Sequence, residues 1–130
     1  MTANSKNLRI LVVDDNQDGA DSLARVIRLW GHDVHTAYDE SAVDLATSLR
    51  PDVILLDIAM PRMDGHHVAR RIRERTPADA PLIIAITGFH DETARQRALD
   101  AGFDDYLIKP VDLTTLGKLL LHKQQGSPEI

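Results

Sequence analysis

The 130-residue chain predicts an α/β fold, a parallel sheet covered by helices on both faces. Three observations carry that expectation. Short apolar runs alternate with helix-length amphipathic runs five times over. Three of the short runs, in LRILVVDD, DVILLD and PLIIAIT, are apolar almost without a break, as strands covered on both faces are. The helical runs close on Gly31, Pro51, Pro77 and Gly102, residue types that end helices.

Each element follows from its own residues. Ile10 to Val13 form a first strand, continuous and largely β-branched. GADSLARVIRLWGH is a helix, because Leu23, Val26, Ile27 and Trp30 recur at helical spacing and Gly31 stands where a C-cap belongs. DVHTA alternates and reads as a short strand with a more exposed face. DESAVDLATSLRP is a second helix, striped by Ala42, Val43, Leu45, Ala46 and Leu49. DVILLD is the next strand. GHHVARRIRERTP is helical, with Val68, Ala69 and Ile72 inward and Pro77 as a stop. PLIIAIT, DETARQRALDAG and DYLIK follow as strand, helix and strand, and DLTTLGKLLLHK is a last helix with Asp112 as its N-cap. QQGSPEI reads as a frayed tail or linker.

Composition narrows the function. A chain of this length buries roughly two thirds of its unfolded surface and needs no disulfide or structural metal to fold. It has no cysteine, which excludes thiol catalysis and thiolate metal sites and fits a cytoplasmic location. A net charge of −5 and a pI near 5.6 argue against direct nucleic-acid binding. Arg70, Arg71, Arg73 and Arg75 cluster beside Glu74 on one helix and read as a solvated face. His66 and His67 point about 100° apart on a helix and make a poor chelate. No run approaches the ~20 apolar residues of a membrane span, and MTANSKNL lacks the apolar core of a signal peptide.

Open parallel sheets bind ligands at the carboxyl ends of their strands. Here those ends are Asp14-Asp15 on the first strand, Asp57 on the third, Thr87-Gly88 on the fourth and Lys109-Pro110 on the fifth; the second ends in Ala37-Tyr38. Taken singly, each has an ordinary reading: Asp14, Asp15 or Asn16 as a helix cap, Thr87 as a β-branched strand residue, Lys109 as a surface lysine. Their coincidence at one edge is harder to explain that way. Carboxylates ~4 Å apart repel by ~4 kcal/mol at an effective dielectric near 20 and raise one another's pKa unless a cation intervenes. An oxygen-only ligand set favours a hard ion, and one or two carboxylates with waters and a backbone carbonyl suit Mg²⁺. Lys109 and the Thr87 hydroxyl would face an anion on the other side. The implied guest is a phosphoryl group and the nearest nucleophile is Asp57, through an aspartyl-phosphate.

Over about residues 8–123, with flexible termini at 1–7 and 124–130, the chain resembles the receiver domain of two-component response regulators. VVDDN, ILLDIAMPRMDG, AITG and DYLIKPV stand in that family's order and spacing. The resemblance implies a three-layer (βα)₅, flavodoxin-like fold with strand order 2-1-3-4-5. It implies Asp57 as phosphoacceptor and Asp14 and Asp15 as the acidic pair for Mg²⁺, with Asp15 the direct ligand of the two and the Ala59 backbone carbonyl a further one. Lys109 would pair with the phosphoryl oxygens, followed by a cis Lys109-Pro110 bond. Thr87 and Tyr106 would be the switch residues, biasing the face of the fourth helix, fifth strand and fifth helix.

The phosphodonor would be a histidine kinase or phosphotransfer protein, docking on the first helix and the Pro110-Val111 loop. Output would pass to a downstream partner or a covalently linked kinase or output domain, since LWGHDV and AGFDDYLIKPVD have the style of receivers on hybrid histidine kinases; Met1 also fits a free-standing receiver. Such a domain is no enzyme beyond its own phosphotransfer and slow dephosphorylation. Ala59 and Phe89 are apolar and orient no attacking water, so slow self-hydrolysis is expected. Two alternatives stay open: a receiver that binds partners without phosphorylation, and a Mg²⁺-dependent phosphohydrolase with an aspartyl-phosphate intermediate. The second is weakened by Ala59, where those enzymes carry an acid.

Overall fold

A computed structural model describes residues 7–58, 64–76, 81–88 and 92–124. The elements alternate as β1 (Arg9–Val13), α1 (Gln17–Leu29), β2 (Asp33–Ala37), α2 (Ser41–Leu49), β3 (Val53–Asp57), α3 (Gly65–Arg75), β4 (Leu82–Thr87), α4 (Glu92–Asp100), β5 (Asp105–Ile108) and α5 (Leu113–Gln124). All strand pairs are parallel, in the order β2-β1-β3-β4-β5. This is the α/β, flavodoxin-like arrangement expected.

The unbroken apolar runs follow from burial on two sides. Ile10, Val12, Val53, Leu55, Ile84 and Ile86 pack against Ala20, Ala24 and Ile27 of α1 and Leu116 and Leu120 of α5. The alternate residues Leu11, Val13, Ile54, Leu56, Ile83 and Ala85 pack against α2, α3 and the segment from Ala98 to Phe103. Both sides of β3 are therefore filled, and all five of its residues are buried, Asp57 included. Burying a Leu or Ile side chain stabilises the fold by ~1.5–3 kcal/mol, so β3 is among its least movable parts. In β2, at the sheet edge, Asp33 is exposed and His35 and Thr36 only half-buried, in line with its alternating sequence.

Helix ends differ in detail from the sequence reading. Asn16 caps α1, its side chain accepting from the Gly19 N–H, while Asp14 Oδ1 accepts from the Asn16 N–H at 3.0 Å. Trp30 does not continue the inward stripe: it is the C-cap, 39% exposed, with Gly31 beyond it at φ 97°. Thr76 caps the end of α3, and Pro77 lies outside the described residues. Asp112 does cap α5, accepting from the Thr114 N–H at 3.0 Å and the Thr115 hydroxyl at 2.9 Å. Helix α5 continues to Gln124, one residue past the expected boundary. Among the described residues no helix is long and apolar enough to cross a membrane.

Candidate functional site

Strand register assembles the site. Val13 lies opposite Leu56, which brings Asp14 level with Asp57. Asp57 lies opposite Ile86 and Thr87 opposite Ile108, so Thr87 and Lys109 each stand one step beyond their neighbours at the same edge. Side chains alternate along a strand. Asp14, Asp57 and Lys109 continue the alternation of Val12, Leu55 and Leu107, residues packed toward α1 and α5. Thr87 continues that of Ile83 and Ala85, which pack toward α2 and α3, and Tyr106 packs on that side as well. The edge thus separates an acid–lysine group on one face from a hydroxyl and an aromatic ring on the other.

Within the acid–lysine group, Lys109 Nζ lies 2.5 Å from Asp57 Oδ2. Asp57 is only 3% exposed, and an ionised carboxylate there requires a partner, which the ammonium supplies. Asp14 is half-buried and interacts with both Asp57 and Lys109. Burial raises the Asp14 carboxyl above its ordinary value, the Asn16 N–H lowers it, and the Asp57 charge raises it again against the pull of Lys109. Asp15 is half-buried at the start of the same loop, and Thr87 is buried at 1% exposure. Tyr106 is half-buried, and the Lys109-Pro110 peptide bond is cis.

The side chains suit a hard divalent ion. Asp14 and Asp57 are close enough to raise the former's proton affinity, a strain that a cation between them relieves. Among the described residues no three carboxylate or imidazole groups gather closely enough to cage a metal alone. The expected carbonyl ligand, Ala59, lies outside the described residues, as do Met60, Pro61, Arg62 and Phe89.

Gly65, the first residue of α3, is required by close approach. A Cβ there would lie 2.8 Å from Ile58 Cα, 2.9 Å from Ile58 Cγ2 and 3.0 Å from the Asp57 carbonyl oxygen. The helix N-terminus therefore rests directly on the backbone that carries Asp57, and Asp64 caps it by accepting from the His66 and His67 N–H groups. Among the described residues His66 and His67 join no group of three metal-ligating side chains, and the His66 ring packs edge-on to Phe103, with centroids 6.0 Å apart.

The expected solvated arginine face holds only in part. Arg70 and Arg71 are exposed, and Arg75 pairs with Asp44 of α2 at 2.7 Å. Arg73 instead turns inward, 22% exposed in its side chain, and binds the Gly102 and Pro81 carbonyls and the Asp104 carboxylate. Its position four residues after the buried Ala69 was the available sequence signal.

A family model for the response regulator receiver domain matches residues 10–121. Response regulator MprA of Mycolicibacterium vanbaalenii is 44% identical over 110 residues, covering 84% of this chain and 47% of that protein. A signal receiver domain from Bermanella marisrubri superposes with a TM-score of 0.78 at 35% identity, over 89% of this chain and 96% of that one. The signal receiver domain of a DNA binding response regulator protein from Colwellia psychrerythraea does so with a TM-score of 0.78 at 28% identity, over 88% and 95%. The chain spans about half the length of the curated relatives it matches. The expectation of no direct nucleic-acid contact is not borne out by these likenesses, since the Colwellia domain belongs to a DNA binding protein.

Proposed function

The chain belongs to the response regulator receiver domains of two-component signalling, and from that membership we propose that Asp57 accepts a phosphoryl group from a histidine kinase or phosphotransfer histidine. The observation that carries this reading is the Lys109 Nζ to Asp57 Oδ2 contact of 2.5 Å at a buried strand end, with Asp14 beside it.

A carboxylate oxygen of Asp57 attacks phosphorus. The P–N bond to the donor imidazole breaks, its electron pair returns to the ring nitrogen, and a P–O bond forms to give the mixed anhydride. Lys109 orients the carboxylate beforehand and then follows the charge onto the phosphoryl oxygens. Mg²⁺, held by Asp14, Asp15 and Asp57 with the Ala59 carbonyl, would supply further neutralisation of those oxygens. The rigidity of β3, filled on both sides, keeps the acceptor in place for a transfer that depends mainly on positioning.

The product carries roughly two negative charges beside Lys109 and Thr87, where the free carboxylate carried one. The Thr87 hydroxyl turns toward them and Tyr106 follows, shifting the α4-β5-α5 face. Leu99, Ile108, Leu113 and Leu121 are exposed apolar residues on these elements, which supports that face as a partner surface. The partner is a downstream protein or a covalently linked kinase or output domain, acting in the cytoplasm. No separate substrate is turned over, and the phosphoprotein decays slowly.

Intact mass after incubation with acetyl phosphate and Mg²⁺ tests the reading. The wild type should gain one phosphoryl group and Asp57→Ala none, with decay slower than seconds. No gain in a wild type that binds Mg²⁺ would overturn it in favour of a phosphorylation-independent binding module.

A further inference from the structure

Strand β5 is short and lies at the sheet edge, paired only with β4 among the described strands. It must nevertheless deliver Lys109 to Asp57 with the accuracy of a hydrogen bond. A register slip of one residue moves a strand by ~3.3 Å and turns its side chains to the other face, which would end the Lys109 contact. Four residues of ladder on one side hold such a register weakly.

The other end of the strand is held by more than its ladder. Asp104, just before β5, donates its N–H to the Ile83 carbonyl at 2.8 Å and accepts the Ile83 N–H on Oδ2 at 2.8 Å. The same oxygen takes Arg73 Nη2 at 2.5 Å. Arg73 Nε reaches the Gly102 carbonyl at 2.9 Å and Nη1 the Pro81 carbonyl at 2.8 Å. One planar guanidinium on α3 thus ties the segments entering β4 and β5, and its fork geometry fixes their relative displacement. The approach is tight: a Cβ on Gly102, at φ 103°, would lie 3.0 Å from Arg73 Cγ.

We propose that Arg73 is a positioning residue for the acceptor site: by clasping Pro81, Gly102 and Asp104 it sets the register of β5 on β4, and through that register the seat of Lys109 against Asp57. The phosphorylation part of this inference rests on the reading of Asp57 as acceptor; the register part does not.

The full chain is compared with Arg73→Ala and with Arg75→Ala, which removes the neighbouring exposed pair to Asp44. Amide exchange is followed at Lys109, whose N–H donates to the Thr87 carbonyl at 2.8 Å, and at Leu55 in β3 as the reference. Acetyl phosphate uptake is measured in Arg73→Ala, Lys109→Ala and the double variant. Arg73→Ala should raise Lys109 exchange at least about tenfold more than Leu55 exchange, and Arg75→Ala should not. Uptake should fall about tenfold in Arg73→Ala, with little added loss in the double variant beyond Lys109→Ala, because both act through one group. Equal rises at Lys109 and Leu55, or losses that multiply in the double variant, would overturn the proposal. Should Arg73→Ala fail to fold, Arg73→Lys, which keeps charge but not the fork, carries the same readouts. If the wild type takes up no phosphoryl group, the acceptor reading fails and the exchange comparison alone decides the positioning role.

Discussion

Replacing Gly65 by alanine adds a single methyl group where α3 meets the end of β3 most closely among the described glycines. That carbon would sit 2.8 Å from Ile58 Cα and 2.9 Å from Ile58 Cγ2, where ordinary contacts begin near 3.4 Å, so about 0.6 Å must be found. The strand side does not yield readily: β3 is hydrogen-bonded to β1 and β4, and the Ile58 N–H donates to the Ile86 carbonyl at 3.0 Å. The start of α3 must move instead. Overpacking of this kind costs about 1–3 kcal/mol, and alanine's better helix propensity returns only part of it at a first helical position. A net loss of about 1–2 kcal/mol lowers a urea midpoint by about 1 M for a domain of this size. Gly117 in α5 is the internal comparison, because a Cβ there meets nothing nearer than Trp30 Cη2 at 3.9 Å. Gly117→Ala should raise the midpoint, by about 0.5–1 kcal/mol of stability. Urea denaturation followed by circular dichroism reads both, and phosphoryl uptake should slow in Gly65→Ala alone. A midpoint at or above wild type for Gly65→Ala would refute the reasoning, since it would mean that α3 adapts freely to the strand end.

Two titrating groups give predictions of opposite sign. His32 is buried with Nδ1 accepting the Leu8 N–H at 3.1 Å, and burial lowers its proton affinity below the ordinary histidine value. The unfolded chain therefore protonates first as pH falls below about 6.5, so stability is full above that value and declines through the window beneath it. Urea midpoints at pH 7.5 and 5.5 should show this decline, less steep in His32→Gln; His66, also lowered by burial and by the Arg97 charge, contributes in the same direction. An unchanged slope in His32→Gln would count against it. Asp14 behaves inversely, because burial, and the Asp57 charge with it, raises its carboxyl. Its folded state binds the proton more tightly, and the stability this provides at low pH is lost as pH rises through the raised value. Asp14→Asn should therefore raise the metal-free urea midpoint at pH 7, with the gain shrinking toward pH 4, while Mg²⁺-dependent phosphoryl uptake drops. A lower midpoint at pH 7 would contradict the cause assigned to the shift.

The residues that the sequence placed at one edge are those the register gathers there, because each is the first polar group after an apolar run. Strand ends are legible whenever the runs are. What ILLDIAMPRMDG did not reveal was why it must end in glycine: the Gly65 contact with Ile58 depends on how closely α3 descends onto β3. Trp30 misled because helical spacing alone does not say where a helix stops, and the chain turns at that residue. Arg73 misled because its neighbours Arg70, Arg71 and Arg75 are solvent-facing or paired outward.

By itself the sequence determined the alternation of elements, the two-sided burial of the central strands and which polar groups end those strands, since periodicity and strand-end chemistry are local properties carried residue by residue. Tertiary structure alone decided which groups meet. The Lys109 ammonium crosses 52 positions to reach Asp57, and the Arg73 guanidinium crosses 29 to reach Gly102. Such pairings depend on strand order, register and helix packing together, and no window of sequence contains all three.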